Sequence, residues 1–317
     1  MKATFINKTH IEGLLYEHDL ALKTSGPNSK TPGTEFISGT VSIATDNACV
    51  NIVPVHFTYV TATTAKGGVN ATFTTLKNII DGALKSVMKD GKDVAAKVRI
   101  DNSAIGLNEF FAPNRQTGED ELVSAKRNEG GFVHLADALA EDENTRNTFE
   151  TDMVITGVRR IEADPDRGTA EKGIIKGYIF DFRKAIMPVE YTILKPSAID
   201  YFESAGASPN TPFFTKVWGQ QVSETVVKRT VVESAFGDDE VRETKSTRKD
   251  FVVTNASKYP YEWDDESSIT ADELRKAMAD RELYVATIKQ RRDEYKASKN
   301  TITPAPAIAA KPATFNF

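Results

Sequence analysis

Aromatic and basic residues alternate along several strand-like runs of this sequence. Tyr178, Phe180 and Phe182 occupy every second position, and Arg183 and Lys184 follow directly. Lys216 and Trp218 share one face of FFTKVW, Phe57 and Tyr59 one face of PVHFTYV, and Lys97 and Arg99 one face of AAKVRI. In a strand, side chains two apart point the same way. Lys66 stands in a glycine-bearing loop just after PVHFTYV. Flat rings stack on bases at roughly 1–3 kcal/mol each while cations follow the phosphates, so this mixture suits single-stranded nucleic acid. The same rings also suit the inside of a small barrel, and that alternative weighs most for Phe57, Phe180 and Phe182. Trp218 is the stronger surface candidate, because Gly219 ends its run beside polar Gln220 and Gln221. A lysine head is rarely buried unpaired. The face of Lys216, Trp218 and Phe214 is therefore expected to meet solvent, with Tyr178 and Arg183 nearby.

No catalytic signature accompanies these residues. HExxH, GxSxG, the Walker phosphate loop and GxGxxG are all absent from the sequence. The four histidines, His10, His18, His56 and His134, lack metal-ligand spacing, and the single cysteine, Cys49, argues against a cysteine-rich zinc site. Carboxylates gather in turns, at 141–143, 238–240 and 264–266. The expectation is a protein that is not an enzyme and takes no cofactor or metal. The net charge of −5 weighs against binding through global positive charge but permits a local basic groove. No run approaches the ~18 apolar residues of a membrane span, and MKATFINKTHIEG does not read as a leader. A cytoplasmic location is expected.

A repeated series of elements would position the alternating runs. Around Gly13 lies a strand, 5–22, with a glycine that permits a bend. A turn-rich loop, 24–33, precedes GTVSIA at Gly39 and PVHFTYV at 54–60. An apolar stripe, Phe73, Leu76, Ile80, Leu84 and Val87, predicts a helix over 73–88 stopped by Gly91. AAKVRI and a fifth strand at 105–111 complete the set. The series recurs as a strand around Gly157, strands at 174–182 and 188–194, a short helix capped by Ser197 and Asp200, and FFTKVW. Pro54 is expected to match Pro188, and Gly39 to match Gly177.

This order predicts a mainly β chain of two tandem five-stranded barrels. The first spans 1–112, a linker with a short helix 113–152, and the second 153–255 with an extended hairpin. Thr270 and Glu273 form a capping box for a long helix within 256–299, with Leu274, Met278, Val285, Ile288 and Tyr295 on one face. The Pro/Ala-rich tail, 300–317, reads as disordered and ends in Phe315 and Phe317.

Through GTVSIATD with PVHFTYV, and KGYIFDFRKAIMPVEYTI with FFTKVWG, the chain resembles the single-stranded-DNA-binding proteins of bacteriophages built from oligonucleotide-binding (OB) barrels. The resemblance implies sequence-independent binding of single-stranded DNA in phage replication or recombination, in the host cytoplasm. It also implies that replication or recombination proteins dock on the C-terminal helix or on the aromatic tip Phe315 and Phe317, although the acidic run typical of such tails is missing. The competing expectation is a structural or assembly protein of a virion.

Overall fold

The computed structural model describes residues 4–163, 170–232, 240–264, 266 and 268–300; within 224–232 and 240–248, and at 299–300, it describes the backbone alone. Strand β1 (Asn7–His18) pairs antiparallel with β3 (Glu35–Ala44), whose edge carries the short β2 (Ala21–Thr24). Next to β3 lies β4 (Ile52–Thr61). Helices α1 (Ala71–Ile80) and α2 (Val87–Asp90) lead to β5 (Lys97–Pro113), which returns beside β1 and forms a hairpin with β6 (Asp120–Glu129). β6 runs parallel to β4 over two residue pairs, Val55 with Asn128 and His56 with Glu129. The pairing therefore returns to its start: β1–β3–β4–β6–β5–β1. Strand β7 (Phe132–Leu135) adds to the outside of β5.

A second ring follows the same order. Strand β8 (Asn147–Ile161) pairs with β9 (Lys172–Phe180), and β9 with β10 (Ile186–Ile193). After helix α3 (Pro196–Ser204), β11 (Phe213–Val232) returns beside β8 and pairs with β12 (Glu240–Ala256). β12 runs parallel to β10 over Thr192–Val252 and Ile193–Val253. The two rings join edge to edge through β1 and β8, where Asn7 meets Thr151 and Ile11 meets Asn147.

Each ring encloses its own core. Ile11, Leu15, Val41, Val55, Phe57, Val98 and Ile100 fill the first, closed at one end by Leu76 and Ile79 of α1. Phe149, Met153, Ile175, Ile179, Tyr191, Val217 and Phe251 fill the second, under Ile199 and Phe202 of α3. Alternation in the strands supplies these inward sets. At Gly13 β1 passes tightly against β3: a Cβ there would stand 2.0 Å from the Ala44 carbonyl oxygen. In the second ring the equivalent squeeze falls on Gly177, 2.0 Å from the Val154 oxygen, while Gly157 marks a register shift.

Several expectations shift. With Pro54 and Pro188 aligned, Gly177 corresponds to Val41, which faces Val55 as Gly177 faces Val189; Gly39 faces Phe57 instead. The stretch read as linker contains β6 and β7, because the fifth strand of the first ring is β6 and residues 105–111 continue β5. The short helix expected in this stretch is a single 3-10 turn at Glu143–Thr145, capped by Asp142. The run 5–22 divides into β1 and β2. The helix predicted over 73–88 ends at Ile80, where Gly82 takes φ +72°. Ser197 lies inside α3 behind Pro196, and Lys195 holds the cap position without a side-chain bond.

The long helix α4 (Ala271–Asn300) begins with the expected box: Glu273 N donates to Thr270 Oγ1 at 3.2 Å, and Thr270 N to Glu273 Oε2 at 3.1 Å. Its first turns meet an apolar surface, and farther along the helix Val285 and Ile288 are half-buried. Leu274 and Ala277 join Phe180, Ile186 and Phe214 in a third cluster on the outside of the second ring. Beyond that, charge holds the helix to the β5–β6 hairpin: Arg281 grips Glu109, while Arg292 and Lys296 reach Asp120 at 3.1 and 2.8 Å. Met278 and Tyr295, expected on the packed face, are exposed. Among the described residues no helix is long and apolar enough to cross a membrane.

Candidate nucleic-acid interface

Three surfaces receive the residues singled out by type and spacing. The first is the outer face of β3 and β4. Here β4 carries one extra residue: Gly39 faces Phe57, yet Ile37 faces Val60. This bulge breaks the alternation. Phe57 points into the first core at 1% exposure, which removes it from any binding surface. Tyr59 points out, 46% exposed, with its ring 4.5 Å from that of Phe36. Its hydroxyl bonds Ser25 Oγ at 3.1 Å and Thr31 Oγ1 at 3.0 Å, tying the loop 24–33 to the strand. Those bonds hold its pKa below the ordinary tyrosine value. Lys66 is exposed in the turn that follows β4.

The second surface runs across β5, β1, β8 and β11, where the rings join. Lys97 and Arg99 are exposed on β5, Lys97 Nζ donating to Asp137 O at 3.2 Å and Arg99 Nε to Asp101 at 2.8 Å. Asp101 also lies 2.7 Å from His10 Nδ1. Burial opposes ionisation of Asp101, but His10 and Arg99 outweigh it and hold its pKa below the usual value. Across β1, a groove of about 510 Å³ is lined by Lys8, His10, Asp101, Glu150, Lys216 and Trp218. Glu150 is the hub. One carboxylate oxygen lies 2.9 Å from Lys8 Nζ, the other 2.9 Å from Lys216 Nζ. Lys216 Nζ sits 5.5 Å from the centre of the Trp218 ring. Burial pushes the Glu150 pKa up, and the two lysine bonds more than reverse this. Lys216 is correspondingly raised by its bond to Glu150.

Lys216 and Trp218 thus share a half-buried, groove-lining face. The far end of that face departs from expectation. Phe214 is 1% exposed beneath Phe5, Phe180, Tyr261 and Trp263. A buried Asp152 anchors this cover, accepting from Tyr261 Oη and from Ile6 N at 2.8 Å each. Tyr178 and Arg183 are therefore not in the Trp218 groove: the cover around Phe5 and Tyr261 stands between them.

The third surface is the outer face of β9 and β10. Tyr178 is half-buried and lines a cleft of about 550 Å³ with Lys126, Lys176, Pro188, Leu274 and Met278. Lys126 is inserted over the rings of Tyr191 and Phe251, and burial lowers its pKa. Phe180 is buried, but Phe182, two residues on, is 88% exposed because β9 ends between them in a tight turn. Arg183 stacks over Phe182 at 4.9 Å, and Lys184 lies on the same turn. Phe315 and Phe317 lie outside the described residues.

Spacing alone missed Phe36, Lys8 and Glu150. Phe36 stood three residues before Gly39 with no alternating partner in its own run. Lys8 and Glu150 reach the Trp218 groove only through the β1–β8 pairing, which no local pattern signals. Among the described residues, no group of three or more His, Cys, Asp or Glu side chains is placed to hold a metal ion.

No curated protein matches the chain. Among solved structures it is similar to a deletion mutant of the single-stranded DNA binding protein from Thermus aquaticus, at 6% identity and a TM-score of 0.45, over 83% of this chain and 99% of that one. The YorF family model matches residues 6–300, and the chain belongs to the YorF family.

Proposed function

We propose that the protein binds single-stranded DNA without sequence preference and catalyses no reaction. Each ring has five strands, the third and fifth parallel, with a helix after the third; we read both as OB-type barrels. Such barrels bind oligonucleotides on the face of their second and third strands and with the loops bordering it. The observation that carries the reading is Tyr59. It is held out on that face of the first barrel, its ring packed at a tilt of 35° against that of Phe36 and fixed from above by the loop between the first and second strands. A tyrosine so placed offers one ring to a base with its rotamer already set. The Trp218 groove supplies a second ring with two lysines at the junction of the barrels. The setting we assign, phage DNA replication or recombination in the host cytoplasm, follows from the resemblance of the barrel strands to phage proteins.

Titration of fluorescent dT30 at low and high salt tests this. Binding that weakens as salt rises is expected, with a slope of about −0.7 per phosphate contact. Absence of binding at low salt overturns the proposal.

A further inference from the structure

The outer face of β9 and β10 corresponds to the Tyr59 face of the first ring, but it is roofed. Phe180 and Ile186 at its end are buried under Phe5, Leu274 and Ala277, and α4 continues outward from that contact. The turn joining β9 to β10 projects past the roof. Its shape is fixed several times over. Asp181 Oδ1 accepts from Arg183 N and Ala185 N at 2.8 Å each, and Asp181 N donates to Ala185 O at 3.0 Å. Lys184 N donates to Asp181 O at 3.0 Å, and Lys184 takes φ +66°. This rigid turn presents Phe182 to water at 88% exposure. An exposed phenylalanine gains nothing for folding, so the turn displays it at no benefit to the core.

The groove lined by this turn holds a second aromatic–cation unit. On α4, the Arg281 guanidinium lies 5.3 Å from the centre of the half-exposed Tyr284 ring. Phe182, Arg183, Lys184, Arg281 and Tyr284 line one groove of about 620 Å³, with Phe180 and Ile186 in its apolar floor. The charges are unevenly committed. Arg281 is spent on both oxygens of Glu109, and Glu129 is taken by Arg127 at 2.6 Å. The Asp181 carboxylate is held by the N–H groups of its own turn. Arg183 and Lys184 form no ion pair with a described residue, which leaves two cations against Asp280 as the remaining carboxylate of the lining.

We propose that this groove is a second single-strand site. A base stacks on the open side of Phe182, Tyr284 offers the facing ring, and Arg183 and Lys184 take the flanking phosphates. Protein hot spots sit in desolvated pockets ringed by contacts that exclude water; here the aromatic–cation units stand exposed, which favours nucleotides over a protein partner. The inference rests on the binding proposal above but on different side chains, separated from the Trp218 groove by the Phe5–Tyr261 cover.

The test compares the full chain with Phe182→Ala, Phe182→Tyr, Tyr59→Ala and the Arg183→Ala/Lys184→Ala double variant, in dT30 titrations at several salt concentrations. Thermal melting checks the fold of each. We expect Phe182→Ala to weaken dT30 binding about 10-fold and Phe182→Tyr to restore it. The double variant should flatten the salt slope by about 1.4. If Tyr59→Ala weakens binding while Phe182→Ala binds like the parent, the groove is overturned and the binding proposal stands. If the parent does not bind, both fall. If Phe182→Ala binds normally, and sedimentation finds the parent self-associated but the variant not, the turn is a protein contact and the nucleotide assignment is wrong.

Discussion

Asn128 and Gln221 exchange both side-chain amide bonds, Nδ2 to Oε1 at 2.7 Å and Nε2 to Oδ1 at 3.0 Å, across the boundary between the two rings. Around them, Asn147 and Asn51 both donate to the Gln221 carbonyl, and Asn51 Oδ1 accepts from Ser223 N. Together with the β1–β8 ladder, these amides fix one ring against the other. The Tyr59 face and the Trp218 groove therefore keep a set spacing. The Asn128–Gln221 pair is satisfied on both sides, which is what makes a buried polar network stabilising, whereas Asn147 Oδ1 is buried without a partner among the described residues.

Removing one partner exposes that dependence. Asn128→Leu leaves the Gln221 amide buried and unpaired, at an expected cost of about 1–3 kcal/mol. Pairing it with Gln221→Leu should cost less than the two single changes added together. Urea denaturation of the four proteins in this cycle measures the difference; strict additivity would show that the amide pair contributes no coupling.

Local signals made much of this architecture legible. Strand alternation marks the inward rows of both rings, and Thr270 with Glu273 marks the start of α4, because each depends on neighbours within a few residues. What stayed hidden depends on distant ones. Gln221 reads as a surface residue beside Trp218, yet it is buried, because Asn128, 93 positions away, satisfies it. Phe57 and Tyr59 look equivalent in PVHFTYV until the bulge against β3 turns one inward and the other out. Lys216 was recognisable as a surface cation, but Glu150, the carboxylate that occupies it, arrives on another strand.

The bulge separates two phenotypes within three residues. Phe57→Ala empties the first core and should cost about 3–5 kcal/mol of stability. Tyr59→Ala removes a half-exposed ring that packs on Phe36, so stability should fall by about 0.5–1.5 kcal/mol while dT30 binding weakens by about 1–3 kcal/mol. Calorimetry and the fluorescence titration, run on both variants, check the pair. A Tyr59→Ala protein that melts early and binds normally would assign the ring to folding.

Trp218 is half-buried under the Lys216 ammonium, so its removal should touch both properties. Trp218→Ala should weaken dT30 binding by about 1–3 kcal/mol and lose about 0.5–1 kcal/mol of stability with the cation–π contact. Quenching of its fluorescence on adding dT30 is the direct readout, best recorded in a Trp263→Phe background so that one indole reports. An unchanged emission at saturating DNA would place the strand elsewhere.

Glu150 holds Lys8 and Lys216 as a phosphate would, one oxygen to each ammonium. Bound DNA must compete with this internal anion. Glu150→Gln removes the competing charge and leaves both lysines in place, so dT30 binding should tighten and its salt slope steepen by about 0.7 for each lysine that gains a phosphate. Lost structure cannot imitate that gain. The same carboxylate predicts a pH effect. Its folded pKa lies below the ordinary 4.5, so its contribution to stability is complete above that value and disappears as pH falls through the lowered one. Between neutral pH and pH 4.5 the parent and Glu150→Gln should keep a constant difference in stability, and below it the two should converge. Urea midpoints measured down to pH 3 would show this. Convergence absent there, together with unchanged DNA affinity in Glu150→Gln, would mean that Lys8 and Lys216 are held by the strands and that Glu150 competes with nothing.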